Sequence, residues 1–275
     1  MKRTATIILN RNLPQETNAL VEHLVKFDGN HTDVFVVEAG SDKDNLSKYC
    51  TWHVSTPDVV KQGLRYSRGM NYGLLQLWKQ SDWEKYDSFF LLTNDTKFPK
   101  NQVTVRTLQK LQEKYPKVGV LSPCSDRWGE KNLIGVNSIK YFWFIHNNAY
   151  FLRKEMLDQL LNKDNPTYID FLFDGNNFRG YLSESETIAR AYANDWAAAI
   201  TTQVIAEEDE SHLLNKNQLI KTESYEENLQ LYVDEGLKWI KKKYGFNSKW
   251  QMMQYSKLFY EKFFEYFPEE KMNKI

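Results

Sequence analysis

Apolar residues in this chain come in short runs set between amphipathic segments, and from the start their order is strand, helix, strand. Ala5 to Leu9 reads as a first strand, Leu13 to Phe27 as a helix with Leu20, Leu24 and Phe27 on one face, and Asp33 to Val37 as a second strand. That order predicts a parallel pair joined by a right-handed crossover. Thr51 to Val54 gives a short third strand broken at Pro57, within a mixed stretch from 43 to 66. Tyr66 to Gly73 opens a helix that runs on through Leu74, Leu75, Leu77 and Trp78. The apolar string Phe89 to Leu92, inside YDSFFLLTNDTKF, predicts a strand covered on both faces, as in parallel sheets, with Pro99 ending it soon after. Val103 to Tyr115 reads as a helix, Val118 to Ser122 as a strand, and Thr187 to Trp196 as a helix. Tyr141 to Arg153, rich in aromatics, reads as sheet edge and core. Tyr225 to Lys242 and Lys249 to Tyr266 are helical in pattern, amphipathic enough to pack on the domain, pair with a second chain or lie on a bilayer surface.

Composition narrows the class. With 275 residues, 41% hydrophobic, 26% charged and 15% aromatic, the chain is long and apolar enough for a large core and not for extended disorder. Its 36 basic and 36 acidic residues cancel, which leaves no electrostatic footprint for nucleic acid. No apolar window approaches the roughly 20 residues that cross a bilayer, and MKRTATIILNRN reads as a strand, not a signal peptide. Two cysteines, Cys50 and Cys124, form neither a disulfide framework nor a zinc cluster and fit a reducing cytoplasm.

The candidate chemistry lies where predicted strands end. Asn94, Asp95 and Thr96 follow the Phe89 to Leu92 string, at the carboxyl edge where open α/β sheets bind ligands. A hard divalent cation often takes one or two protein carboxylates and completes its shell with diphosphate oxygens and water, a role that suits Asp95; a plain turn accounts for the same tripeptide. Glu38 ends the second strand ahead of Ala39, Gly40 and Ser41, and its carboxylate suits a ribose or base edge as well as a solvated loop. Arg68 and Asn71, beside Gly69 and Gly73, offer a cation and close backbone approach to a diphosphate, although the two glycines serve equally for tight helix packing. There is no GxGxxG and no GxxxxGK[ST], which removes the main support for dinucleotide oxidoreductases and P-loop enzymes. The first strand is followed by Asn10, Arg11, Asn12 and Leu13 instead of the Gly-rich loop that a sugar nucleotidyltransferase wants. In the stretch from Phe173 to Glu186, Ser183 reads as an N-cap with Glu186 closing a capping box, while Glu184 is either a first-turn charge or a general base. His146 reads as a core histidine.

Taken together, IILNRN, VVEAGS, RGMNYGL, FFLLTNDT, FDGNNFRGY and ESETIARAYANDW resemble, in order, the motifs of family 2 glycosyltransferases of the GT-A fold, over about Thr4 to His212. The resemblance implies a Rossmann-like nucleotide-binding α/β domain with a mixed, mainly parallel sheet flanked by helices, at 1–215, and a C-terminal helical extension at 216–275. It implies inverting transfer of a sugar from a nucleotide-sugar donor, with a UDP-sugar expected, to a saccharide or glycolipid acceptor, assisted by Mn2+ or Mg2+. It assigns Glu38, with Asn10, Arg68, Asn71 and Asn94, to the donor, Asp95 and His212 to the metal, and Glu184 to the base. The chain departs from the family pattern at Asn94, Ser183 and Glu184, where acids, an acid and Asp are usual. Peripheral contact at the inner face of the membrane, or a homodimer through the C-terminal helices, is a further implication. A nucleotidyltransferase and a non-catalytic nucleotide- or sugar-binding module are the alternatives.

Overall fold

A computed structural model describes residues 3–209 and 222–275. Strand β1 (Thr4–Asn10) passes through helix α1 (Pro14–Asp28) into β2 (Thr32–Ala39), which pairs with β1 in parallel and sets Asn10 opposite Glu38. Strand β3 (Cys50–Val54) extends the sheet beyond β2. Pro57 does more than end it: it opens a short helix, α2 (Pro57–Gln62), where a missing N–H and fixed φ suit the first turn. Helix α3 (Arg65–Lys79) then carries the chain back to β4 (Ser88–Thr93), on the opposite side of β1, with Leu9 opposite Thr93. The reversal of winding between β1 and β4 makes a topological switch point, and open α/β sheets bind ligands outside such points.

The remaining elements are β5 (Thr96–Lys97), α4 (Val105–Lys114), β6 (Val118–Cys124), α5 (Glu130–Ile134), β7 (Ile139–Tyr141), β8 (Ala149–Arg153), α6 (Lys154–Leu160), α7 (Ser183–Ala193), β9 (Ala197–Ile205), β10 (Glu207–Glu208), α8 (Tyr225–Tyr244) and α9 (Lys249–Tyr266). The main sheet has the order β3-β2-β1-β4-β8-β6-β9-β7, with β8 antiparallel to both its neighbours and β7 antiparallel to β9. It is therefore mixed and mainly parallel. Phe89, Phe90, Leu91 and Leu92 of β4 are all fully buried, as their continuous string requires. Of the segment Tyr141 to Arg153, Tyr141 ends edge strand β7, residues 142–148 lie outside any strand, and Ala149–Arg153 form core strand β8. No helix among the described residues is long and apolar enough to cross a membrane.

Helix α3 begins at Arg65, so Arg68, Gly69, Asn71 and Gly73 lie within it. Both glycines are places of close approach to β1: a Cβ at Gly69 would come within 2.3 Å of a Leu9 methyl, and one at Gly73 within 2.7 Å of an Ile7 methyl. Asn71 is correspondingly turned inward, which corrects its expected role at a diphosphate. It is fully buried; its Nδ2 donates to the Tyr168 and Phe173 carbonyls at 3.1 and 2.8 Å, and its Oδ1 accepts from the Leu172 and Phe173 amides at 3.0 and 2.9 Å. Two donors and two acceptors are all that an amide side chain has. Asn71→Ala is expected to lower stability by about 3 kcal/mol, because three buried backbone groups and the part-buried Tyr168 carbonyl lose their partner, and urea unfolding reads this directly. A near-silent change would return Asn71 to the list of ligand contacts.

The C-terminal helices pack on this body. Tyr260, Phe263 and Phe264 of α9 join the main core, where Tyr192 of α7 meets the Tyr260 and Phe263 rings at 5.5 and 5.4 Å. Helix α8 starts in a true capping box, Ser224 with Glu227, and ends at Gly245 with φ +74. The division between 215 and 216 falls outside the described residues.

Candidate active site

Three parallel strands end side by side here, and a polar network ties their ends together. Asn10 of β1 donates from Nδ2 to Glu38 at 2.9 Å, while its Oδ1 accepts from the Leu13 amide at 3.2 Å and from Asn94 Nδ2 at 2.8 Å. Glu38 also accepts from the Ser41 hydroxyl at 2.5 Å and the Ser47 amide at 2.7 Å. Asn10 and Glu38 are both fully buried. A buried carboxylate must be hydrogen-bonded, and Glu38 takes these partners from β1 and from the loop after β2. Its role is to hold that loop. Asn94 remains at the rim, partly exposed.

Asp95 follows in the turn between β4 and β5 and is 9% exposed. Its carbonyl accepts from the Asp209 amide at 3.0 Å, and β10 pairs with β5 so that Glu208 stands opposite Thr96. Acidic residues of the β10 segment are thereby drawn to the β4 end. Among the described residues no group of three or more His, Cys, Asp or Glu could hold a metal by itself. Asp95 is the carboxylate that this strand end offers to a cation. His212 lies outside the described residues.

The second candidate group stands at the start of α7. The helix begins at Ser183, four residues earlier than its apolar pattern indicates, which places Glu184 in the first turn. The expected capping box does not form. The N-cap position is Leu182, in the left-handed region at φ 68, and no side chain caps the helix. Glu186 is 2% exposed and is claimed from outside the helix, by Lys243 at 2.7 Å and by the Tyr244 hydroxyl. Lys243 also reaches Asp174 at 2.8 Å, so Glu186 and Asp174 dock α8.

Among the described residues Glu184 has no such partner. Its surface is only partly covered, but it sits deep in an aromatic recess, and burial pushes its carboxyl up to about 7. The bond from its own backbone amide pulls the other way and loses. A helix N-terminus stabilises a carboxylate by about 0.3–1 kcal/mol, whereas this shift from 4.5 is worth on the order of 3 kcal/mol, so desolvation decides. Burial first, and then the Glu184 charge, raise the hydroxyls of Tyr66 on α3, Tyr150 on β8, Tyr181, and Tyr232 on α8. Four segments far apart in sequence thus line one recess.

Arginines gather beside it. Arg68 donates from Nε to the Gly175 carbonyl at 2.8 Å and lies 4.7 Å from the centroid of Phe178. Arg65, in the left-handed region at φ 58, pairs with Glu223 at 3.2 Å, and Arg179 bonds Glu223 and Glu235. Left-handed backbone at Arg65 and Leu182 costs on the order of 1–3 kcal/mol each and is characteristic of sites that strain helps to shape. Sequence reasoning did not single out Arg65, Tyr66, Tyr150 and Tyr232, none of which stands in a quoted motif, nor Arg179, which does stand in one, FDGNNFRGY.

No protein-family model matches the chain, and no curated protein does. Solved structures do. A fragment of S. aureus TarS, residues 1–349, matches with TM-score 0.52 at 11% identity, over 90% of this chain and 75% of that one. GalNAc-T7 with UDP, GalNAc and Mn2+ matches with TM-score 0.54 at 7% identity, over 76% of this chain and 44% of that one. Glucosyl-3-phosphoglycerate synthase from Mycobacterium tuberculosis, in complex with Mn2+, UDP-glucose and phosphoglyceric acid, matches with TM-score 0.50 at 10% identity, over 86% of this chain and 79% of that one. The chain thus spans under half the length of the GalNAc-T7 chain. At these identities the likeness is one of architecture, and the protein has the α/β fold of GT-A nucleotide-binding domains.

Proposed function

We propose that this protein is a glycosyltransferase of the family 2 kind, moving a sugar from a nucleotide-sugar donor to an acceptor hydroxyl with inversion. The observation that carries the reading is Glu184, a carboxyl that burial pushes up to about 7, in a protein with the sheet of GT-A domains. A base poised near the working pH is most effective. Glu184 takes the proton of the acceptor hydroxyl as the acceptor oxygen bonds to the anomeric carbon. The bond from that carbon to the diphosphate breaks on the opposite face, and its electron pair leaves with the phosphate. Mn2+ or Mg2+, when bound, supplies charge neutralisation at the diphosphate. Asp95, with Asn94 beside it, anchors the cation, and Arg68 at the recess provides a fixed positive charge for the phosphates. Glu38 and Asn10 act indirectly by fixing the loop and strand ends against which the nucleoside lies. The solved relatives that contain UDP, UDP-glucose or Mn2+ support this choice of donor class and cation.

The acceptor is proposed to be a glycan, a polysaccharide or a lipid-linked saccharide, handled in the cytoplasm or at the inner face of the membrane. Trp250 and Leu258 on α9, 62% and 53% exposed, are the residues through which peripheral membrane contact or dimerisation would run. Thermal melting with UDP-, GDP-, CMP- and dTDP-sugars, with and without Mn2+, tests the core of the proposal. Binding at 100 times Kd adds about 2.7 kcal/mol of stability, and one nucleotide class is expected to stand out. If no nucleotide sugar shifts the transition, the glycosyltransferase reading fails.

A further inference from the structure

Asn148 immediately precedes β8 and is 4% exposed. Its carbonyl accepts from the Thr93 amide at 3.1 Å and from the Thr96 hydroxyl at 3.2 Å, which pins it to the end of β4 on either side of Asn94 and Asp95. Its side chain is another matter: among the described residues neither Nδ2 nor Oδ1 has a hydrogen-bond partner. Such an amide is among the costlier groups a fold can bury, and an apolar residue of similar size would be cheaper at that position. Asn148 also lies two residues before Tyr150, whose hydroxyl feels the charge of Glu184. An unsatisfied amide therefore stands beside the proposed cation anchor, at the strand end where a bound donor would lie.

We infer that Asn148 is a specificity-determining residue that reads hydroxyls of the donor sugar, Nδ2 donating to one hydroxyl oxygen and Oδ1 accepting from a neighbouring hydroxyl. The inference rests on the glycosyltransferase reading and deepens it, naming the donor's hydroxylated ring as what completes the amide. It separates two halves of donor recognition. The strand ends and arginines hold the nucleoside diphosphate, which Asn148 does not touch, and Asn148 tests the sugar.

The experiment compares wild type with Asn148→Ala and Asn148→Asp in three measurements: thermal melting, calorimetric titration of UDP and GDP with Mn2+, and turnover of the best donor among UDP-glucose, UDP-galactose and GDP-mannose against its monodeoxy counterparts. Asn148→Ala is expected to melt no lower than wild type, since it removes an unsatisfied buried amide, and to keep nucleoside diphosphate affinity within about twofold. Its kcat/KM for the full donor should fall about 10- to 100-fold, and the wild-type preference over one deoxy donor should largely disappear, because a site that hydrogen-bonds a hydroxyl rejects the analogue lacking it. Asn148→Asp, which keeps the acceptor and loses the donor group, should retain part of that preference. A marked loss of stability, an equal loss of UDP or GDP affinity, or unchanged discrimination among deoxy donors would each overturn the inference while leaving the glycosyltransferase reading in place. If wild type binds no nucleoside diphosphate and no nucleotide sugar, the broader reading fails first and this one with it.

Discussion

Glu184→Gln is expected to cut turnover by about 10²–10⁴-fold, the usual contribution of a general base, while leaving nucleotide affinity nearly unchanged. The same substitution should move stability in a pH-dependent way that a surface carboxylate would not. With the folded carboxyl near 7 and the unfolded one near 4.5, the native protein binds more protons than the unfolded chain between those values. Stability therefore falls as pH rises through that window, by up to about 3 kcal/mol. Gln carries no charge to bury, so the variant should match wild type at pH 4 to 5 and exceed it at pH 8. Activity runs the other way: wild-type kcat/KM should rise about tenfold per pH unit below 7 and level off above, as the base ionises. Denaturant unfolding at the two pH values, alongside the pH–rate profile, checks both. A variant with full turnover, or with no pH-dependent gain in stability, would remove Glu184 from the mechanism.

Asp95→Asn should abolish metal coupling. If one carboxylate is the main protein anchor, the cation is held largely by the diphosphate, the free protein binds it weakly, and metal and nucleotide bind cooperatively. Asn keeps nearly the same shape and turn preference and deletes the charge. A turn-only role for Asp95 predicts an almost silent change. The anchoring role predicts loss of Mn2+-dependent nucleotide affinity, with a coupling of about 1–3 kcal/mol disappearing. Calorimetric titration of the nucleoside diphosphate into both proteins, each with Mn2+ and with chelator, separates the two, and equal coupling in both would move the cation site elsewhere.

The linear sequence was enough to determine the strand-helix-strand opening, the buried β4 and the identity of the acidic groups at its end and at the start of α7. These are local properties. An apolar string of four can be covered only from both faces, and a carboxylate after it has nowhere to lie but the strand edge. Other elements left weaker marks: β9 opens on Ala197, Ala198 and Ala199, which carry little strand preference and hide its start ahead of Ile200, Thr201 and Thr202, and the antiparallel insertion of β8 between β4 and β6 has no local signal. Tertiary structure alone decided which polar residues face a ligand. Asn10 and Asn94 meet across 84 residues, and that contact together with Glu38 closes a network that buries Asn10 and Glu38. Asn71 is used up by a loop about 100 residues away. Glu186 goes to α8 because Lys243 and Tyr244 arrive there, and Glu184 is left in the aromatic recess because no cation does. Residue type states what a group can donate or accept. Whether that capacity is spent within the fold or kept for a ligand depends on partners that sequence spacing does not bring together, since a buried polar group takes whichever partner the packing supplies.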